Sequence, residues 1–252
     1  MICADYIDGL SNVLARIKTE QAENIKLAGR IVADSISKEG VIHTFGTGHS
    51  HLIAEEAFFR AGGIAAINPI LNERLIFLKG ALESTRAERE SGLAQQLIER
   101  EDVREVDVVI IISNSGRNAV PIEMALEMKK RGVKVIAITN LEQSCAVSSR
   151  HSSGKKLHEI ADLAIDNCVP SGDALIELKG LDSRTGASST VAGSAIIHSI
   201  ILEALEELIR RGHNPPVLPS ANVEQSSADD LRNILRRYRD RIRYLDLETE
   251  LD

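Results

Sequence analysis

Short apolar, β-branched runs, each ending in a turn rich in glycine and hydroxyl side chains, alternate with amphipathic stretches along this chain. Two of them set the pattern. Val41-Ile42-His43-Thr44-Phe45 leads into Gly46-Thr47-Gly48-His49-Ser50-His51, and Val108-Val109-Ile110-Ile111-Ile112 leads into Ser113-Asn114-Ser115-Gly116-Arg117-Asn118. Such apolar runs suit strands covered on both faces, and helices between them suit parallel pairing. A turn from the carboxyl end of a parallel strand into a helix presents unpaired amide N–H groups and the positive end of the helix dipole. Glycine allows close approach there, and serine and threonine add hydroxyl donors. Two such turns on one sheet predict a pocket for one phosphorylated small molecule.

The rest of the chain fits the same plan. Tyr6 to Ser37 reads as helix, with Ile7, Leu10, Val13, Leu14 and Ile17 on one stripe that Ile25, Leu27, Ala28, Ile31 and Val32 continue. Gly40 ends it and opens the first strand. A helix is expected from about Ser50 to Ala61, closed by Gly62-Gly63, then a short strand from Ile64 to Asn68. Helix over 84–99, strand over 106–112, helix over 118–131 with Pro121 in its first turn, and strands over 133–139 and 161–165 follow. Beyond Pro170 the pattern turns irregular to about Gly186. A long helix near 188–211, a proline-rich loop and a terminal helix near 228–243 complete the chain.

At 252 residues the chain can bury one substantial core, and with aromatics at 3% that core must be aliphatic. It reads as one domain over 1–252, with a core at about 36–210, N-terminal helices over 5–37 and a C-terminal helical extension over 211–252. Cys3, Cys145 and Cys168 lack zinc-finger or CxxC spacing, and their odd number argues against a disulfide framework. No apolar run is long enough to span a membrane, and Met1 to Asp8 carries two acids and no base, unlike a secretory signal. A cytoplasmic location is expected. The net charge of −7 disfavours nucleic acid as a partner, and the basic cluster Arg232, Arg236, Arg237, Arg239, Arg241 and Arg243 reads as a solvated helix face or subunit contact.

Gly46-Thr47-Gly48-His49-Ser50 after the first strand, Ile112-Ser113-Asn114-Ser115-Gly116 after a central one, Gly132-Val133-Lys134-Val135-Ile136-Ala137-Ile138-Thr139 and Ala161-Asp162-Leu163-Ala164-Ile165 together resemble the SIS (sugar isomerase) family of phosphosugar-binding domains. The resemblance covers about residues 5–210 and is phosphoheptose-isomerase-like. It implies a three-layer αβα sandwich with a five-stranded parallel sheet, a homodimer or homotetramer, and a phosphorylated sugar or amino sugar at the carboxyl edge of the strands. Carried over, it implies phosphate binding by Gly46, Thr47, Gly48, Ser50, Ser113, Asn114, Ser115, Gly116 and Asn118. Thr139, at a neighbouring strand end, is expected to face the same crevice. The competing reading is that Ser113 and Ser115 only cap the following helix, although one cap would suffice.

Moving a proton between C1 and C2 of a sugar needs a base. Glu55 and Glu56 are the candidates, with His51 one turn before Glu55 on the same face; an ion pair with Arg60 is the competing role. His198, on the last long helix, matches the place of a catalytic or zinc-binding histidine in phosphoheptose isomerases, against a hydrogen-bonded core histidine. Thr190 stands where those enzymes carry a metal-binding glutamine, and His51 follows the glycine turn too closely for their His-x-x-x-Glu pair. No metal and no cofactor are therefore expected. Ser188 and Thr190 are further candidate ligands, or ordinary helix caps. A dinucleotide fingerprint fails because His51 replaces the third glycine and no acid ends the second strand. A sugar-phosphate isomerase with a carboxylate base follows; a non-catalytic phosphosugar sensor, or an etherase acting on an N-acetylmuramic-acid-6-phosphate-like substrate, are the alternatives.

Overall fold

Alternation along the apolar runs decides the architecture. Val108, Ile110 and Ile112 enter one core while Val109 and Ile111 enter another; Ile136 and Ile138 join the first, Val135 and Ala137 the second. A sheet with two apolar faces must be covered on both. The structure, a computed structural model, describes residues 1–220 and 228–245.

In chain order the first elements are α1 (Ile2–Glu20), α2 (Ala22–Ile36), β1 (Ile42–Gly46), α3 (Ser50–Glu56), β2 (Ile67–Pro69), α4 (Ala81–Ala87) and α5 (Leu93–Ile98). There follow β3 (Val108–Ile112), α6 (Ala119–Lys130), β4 (Lys134–Thr139), α7 (Leu141–Ala146), α8 (Leu157–Ile160) and β5 (Leu163–Asp166). The chain closes with β6 (Ala174–Ile176), β7 (Thr185–Ala187), α9 (Ser189–Arg210) and α10 (Ala228–Arg236). Strands β1 to β5 form one parallel sheet in the order β2-β1-β3-β4-β5. Helices α1, α2, α3 and α9 supply the first core, and α5, α6 and α8 the second. The expected fold class is the one observed, helical extensions included.

Several boundaries differ from the sequence reading, each for a physical reason. The N-terminal helix breaks at Gln21, whose side-chain oxygen turns inward to accept the Asp166 amide at 3.2 Å and so satisfies β5. The helix expected over 84–99 is two, split at Gly92 in the left-handed region (φ 86°). Helix α3 stops at Glu56, short of Ala61. Ile64 does not belong to β2 but bridges Val217 of the proline-rich loop, whose backbone pairs with Gly62, Gly63 and Ala65. The stretch after Pro170 holds the antiparallel pair β6–β7, pinned to α1 by the Tyr6 hydroxyl donating to the Ala187 carbonyl at 2.6 Å.

The C-terminal extension is not merely a solvated face. Leu235, Tyr238, Ile242 and Leu245 enter the first core. Arg241, only 9% exposed, donates through Nη2 to both oxygens of Asp107 at 3.0 and 2.8 Å. Asp107 precedes β3 at the amino edge of the sheet and also accepts the Val41 and Arg104 amides and His43 Nε2. Asn68 extends this network from His43 to Glu101. Residues 221–227 and 246–252 of the extension lie outside the described residues, and the terminal helix expected near 228–243 is helical only over Ala228–Arg236.

Candidate functional site at the sheet's carboxyl edge

The strand order creates the crevice. From β1 the chain turns outward to β2, and from β3 it turns the other way to β4, so the turns after β1 and β3 diverge at a topological switch point. Ligands of open α/β sheets bind there, outside the carboxyl ends of the strands. Gly46 pairs with Ile112 in the ladder, so both turns leave the sheet at the same height.

The turn after β1 is tight enough to require glycine. A β-carbon on Gly46 would lie 2.4 Å from the Ser50 carbonyl oxygen and 2.9 Å from the His51 amide nitrogen. The Gly48 amide donates to the Leu75 carbonyl at 2.9 Å, and Thr47 Oγ1 donates to Glu88 Oε2 at 3.0 Å. His51 donates through Nδ1 to the Gly48 carbonyl and sets its ring edge-on to Phe77. Its Nε2 has no hydrogen-bond partner among the described residues, and neither has the Ser50 hydroxyl. Thus His51 both braces the turn and keeps one ring nitrogen free.

The turn after β3 is oriented by its carbonyls. Those of Asn114, Gly116 and Arg117 accept the amides of Asn140, Leu157 and Arg150 at 2.9, 2.9 and 2.8 Å. In a trans peptide the next residue's N–H points opposite to the carbonyl. The amides of Ser115, Arg117 and Asn118 therefore point away from the β4 side, a concave arrangement of donors suited to an anion. Gly116 closes the bend at φ 57°. The hydroxyls of Ser113 and Ser115 have no protein partner among the described residues, and no side-chain hydrogen bond from Asn118 caps α6. The expectation that serines here serve only as caps does not fit these bonds.

Other candidates are spent on structure. Thr139 is fully buried and gives its hydroxyl to the Asn114 carbonyl at 3.1 Å; it supports the turn from behind rather than facing the crevice. Asn114 Oδ1 accepts from Asn167 at 2.6 Å. Ser188 is buried and donates to Asp173, whose carboxylate also takes the amides of Ser188 and Ser189, so the start of α9 already holds an anion. Ser188 is thus not placed to bind a ligand.

Helices α3 and α9 run the same way, because Ile53 meets Gly193 and Glu56 meets His198 further along. Thr190, half-buried, consequently sits near the turn end, about 4.5 Å along the axis before Gly193. Glu55 and Glu56 lie roughly 7.5 and 9 Å down the axis from Ser50. Glu56 pairs with Arg60 and lies 3.4 Å from His198 Nε2. Burial, and then the Arg60 charge, lower the His198 pKa. Burial raises the Tyr244 hydroxyl pKa in the C-terminal extension, and the Glu55 charge adds to it. His51, Glu55 and His198 are therefore not gathered at one point, and no metal-binding cluster of three such side chains occurs among the described residues.

A carboxylate that meets the first turn is that of Glu88. It accepts from Thr47, and its carbonyl takes the Val120 amide at 3.1 Å, so it bridges the first turn and the start of α6. Beside it gather Arg89, Arg117 and Arg150. Glu88 lies in the charged run Arg86-Ala87-Glu88-Arg89-Glu90, which reads locally as a solvated helix end. Only the fold joins it to Thr47. Arg117 stands inside the motif that marked the site, and that position was its one signal.

A family model described as the SIS domain matches residues 5–140, so the chain is of the SIS class. A UPF0309 protein of Listeria monocytogenes serotype 4b is 42% identical over 238 residues, covering 94% of this chain and 96% of its own. Another, of Thermoanaerobacter pseudethanolicus, is 42% identical over 245 residues, 96% of this chain and 99% of its own. Within the SIS class, the chain belongs to the UPF0309 family. Phosphoheptose isomerases of Neisseria gonorrhoeae and Francisella tularensis superpose with a TM-score of 0.51 at 16% identity. They cover 81% of this chain and 97% and 96% of their own, a likeness of fold.

Proposed function

We propose that this protein is a sugar-phosphate isomerase that binds the phosphate between the two turns and moves the proton with Glu88. What supports the reading is the inward set of the Ser115, Arg117 and Asn118 amides together with unpartnered Ser50, Ser113 and Ser115 hydroxyls beside one carboxylate. The turns hold a monoester by amide and hydroxyl donors, as charge-assisted hydrogen bonds. Thr47, by donating to Glu88, fixes one carboxylate oxygen and leaves the other to face the substrate. On an open-chain aldose, Glu88 takes the C2 proton, the electron pair forms the C1–C2 double bond, and the carbonyl oxygen takes a proton. Return of the Glu88 proton to C1, with loss of the 2-hydroxyl proton, gives the ketose.

The test is proton exchange in deuterium oxide. The full chain is incubated with each of a panel of aldose and amino-sugar phosphates and C2–H is followed by NMR. Loss of that signal with ketose formation is the expected result for at least one sugar. Tight binding with no exchange in any sugar would instead indicate a sensor, and ether cleavage would indicate an etherase.

A further inference from the structure

The rim of the turn after β3 gathers arginines that form no ion pair among the described residues. Arg117 lies in the turn, Arg150 between α7 and α8, and Arg89 just beyond α4. The Arg150 amide donates to the Arg117 carbonyl, and Arg150 Nη1 donates to Asn118 Oδ1 at 3.0 Å. Arg117 Nη2 lies 3.5 Å from Ser148 Oγ, while its Nε is buried without a hydrogen-bond partner. Among the described residues none of the three forms an ion pair. Burial, and then the charges of Arg117 and Arg89, depress the Arg150 pKa, and Glu88 opposes them.

Three cations crowded together are unfavourable unless an anion joins them, most of all where water is partly excluded. They do not belong to a general basic surface, since the chain carries a net charge of −7. Nor do they lie inside the amide cup. The Arg150 backbone approaches from the carbonyl side of the turn, at the Arg117 carbonyl and so opposite to the Asn118 amide, and Arg89 adjoins the Glu88 carbonyl over the first turn of α6. A phosphate in the cup leaves the guanidiniums free for something beside it. Guanidinium forks suit carboxylate and phosphate alike.

We propose that the arginine rim of Arg89, Arg117 and Arg150 binds a second anionic group on the same ligand, so that the preferred substrate class is a phosphosugar carrying a carboxylate or a second phosphate. This rests on the phosphosugar reading above and narrows it.

The test uses three probes with one open-chain carbon skeleton: glucitol 6-phosphate, 6-phosphogluconate and glucitol 1,6-bisphosphate. Binding to the full chain is measured by calorimetry at fixed ionic strength. At least one doubly anionic probe should bind tenfold or more tightly than glucitol 6-phosphate, and which one does so separates carboxylate from phosphate. That preference should vanish in the Arg89→Gln/Arg150→Gln double variant, neither residue of which supplies an amide to the phosphate, while glucitol 6-phosphate affinity stays within about threefold. Equal affinity for all three probes in the unaltered protein overturns the arginine rim and leaves the phosphosugar reading standing. A preference that survives in the double variant also overturns it. No binding of any probe overturns both.

Discussion

Replacing Asp107 with alanine is expected to lower the free energy of unfolding by about 3–5 kcal/mol at neutral pH, because it strands a buried guanidinium. The Asp107 side chain is fully buried and the side chain of Arg241, its partner, is 8% exposed. The substitution also removes the acceptor of two amides and of His43 Nε2. Arg241 would keep only Asp102 and the Glu39 carbonyl at the margin of the site. The pH dependence follows from the carboxyl's own shift. Burial pushes its pKa up, but hydrogen bonds from His43 and from the Val41 and Arg104 amides outweigh burial and hold it below the ordinary value. With the folded value below the unfolded one, the stabilisation is present above the unfolded value and is lost as pH falls through the folded value. Urea unfolding should therefore show a large gap between parent and variant at neutral pH, closing in acid. A loss under about 1 kcal/mol at neutral pH, typical of an exposed ion pair, would refute the account of this network. Converting Arg241 to methionine in the same variant should recover much of the loss, since it removes the stranded charge.

The second large effect concerns turnover. Glu88→Gln keeps an acceptor for the Thr47 hydroxyl and nearly the same shape, but it cannot take up a proton. Isomerisation should fall about 10²–10⁴-fold while phosphosugar affinity changes little. Glu55→Gln and Glu56→Gln should retain turnover, because those carboxylates lie at the far end of α3, with Glu56 paired to Arg60. Full activity in Glu88→Gln beside a large loss in either α3 variant would return the base to α3.

These two residues mark where sequence reasoning stops. The sheet was legible because Val108 to Ile112 is apolar at every position, which only a strand covered on both faces requires. The two turns at the carboxyl edge were legible because glycine and hydroxyl residues follow those runs directly. Neither inference needs knowledge of distant parts of the chain. Glu88 and Asp107 depend wholly on such knowledge: 41 residues separate Thr47 from Glu88, and 134 separate Asp107 from Arg241. Locally, Glu88 looks like a solvated helix end and Arg241 like one more surface cation. Glu55 lies farther from the turns than its pairing with His51 suggests, for a related reason. Its spacing from His51 puts the two on one helix face, but that face descends from the turns toward the opposite edge of the sheet. Ser188 and Thr139 have the right chemistry at the right ends of their elements, yet Asp173 and the Asn114 carbonyl already occupy their hydroxyls. Breaks such as Gln21 are likewise set by a tertiary donor, the Asp166 amide, that no local pattern announces.

Convergence of the two turns on one phosphate is most directly measured by a phosphosugar titration of the isotope-labelled protein, following backbone amide resonances. The amides of Thr47 to Ser50 and those of Ser115 to Asn118 should move together, with one shared dissociation constant. Movement confined to one turn, or separate constants for the two, would contradict a single site between them.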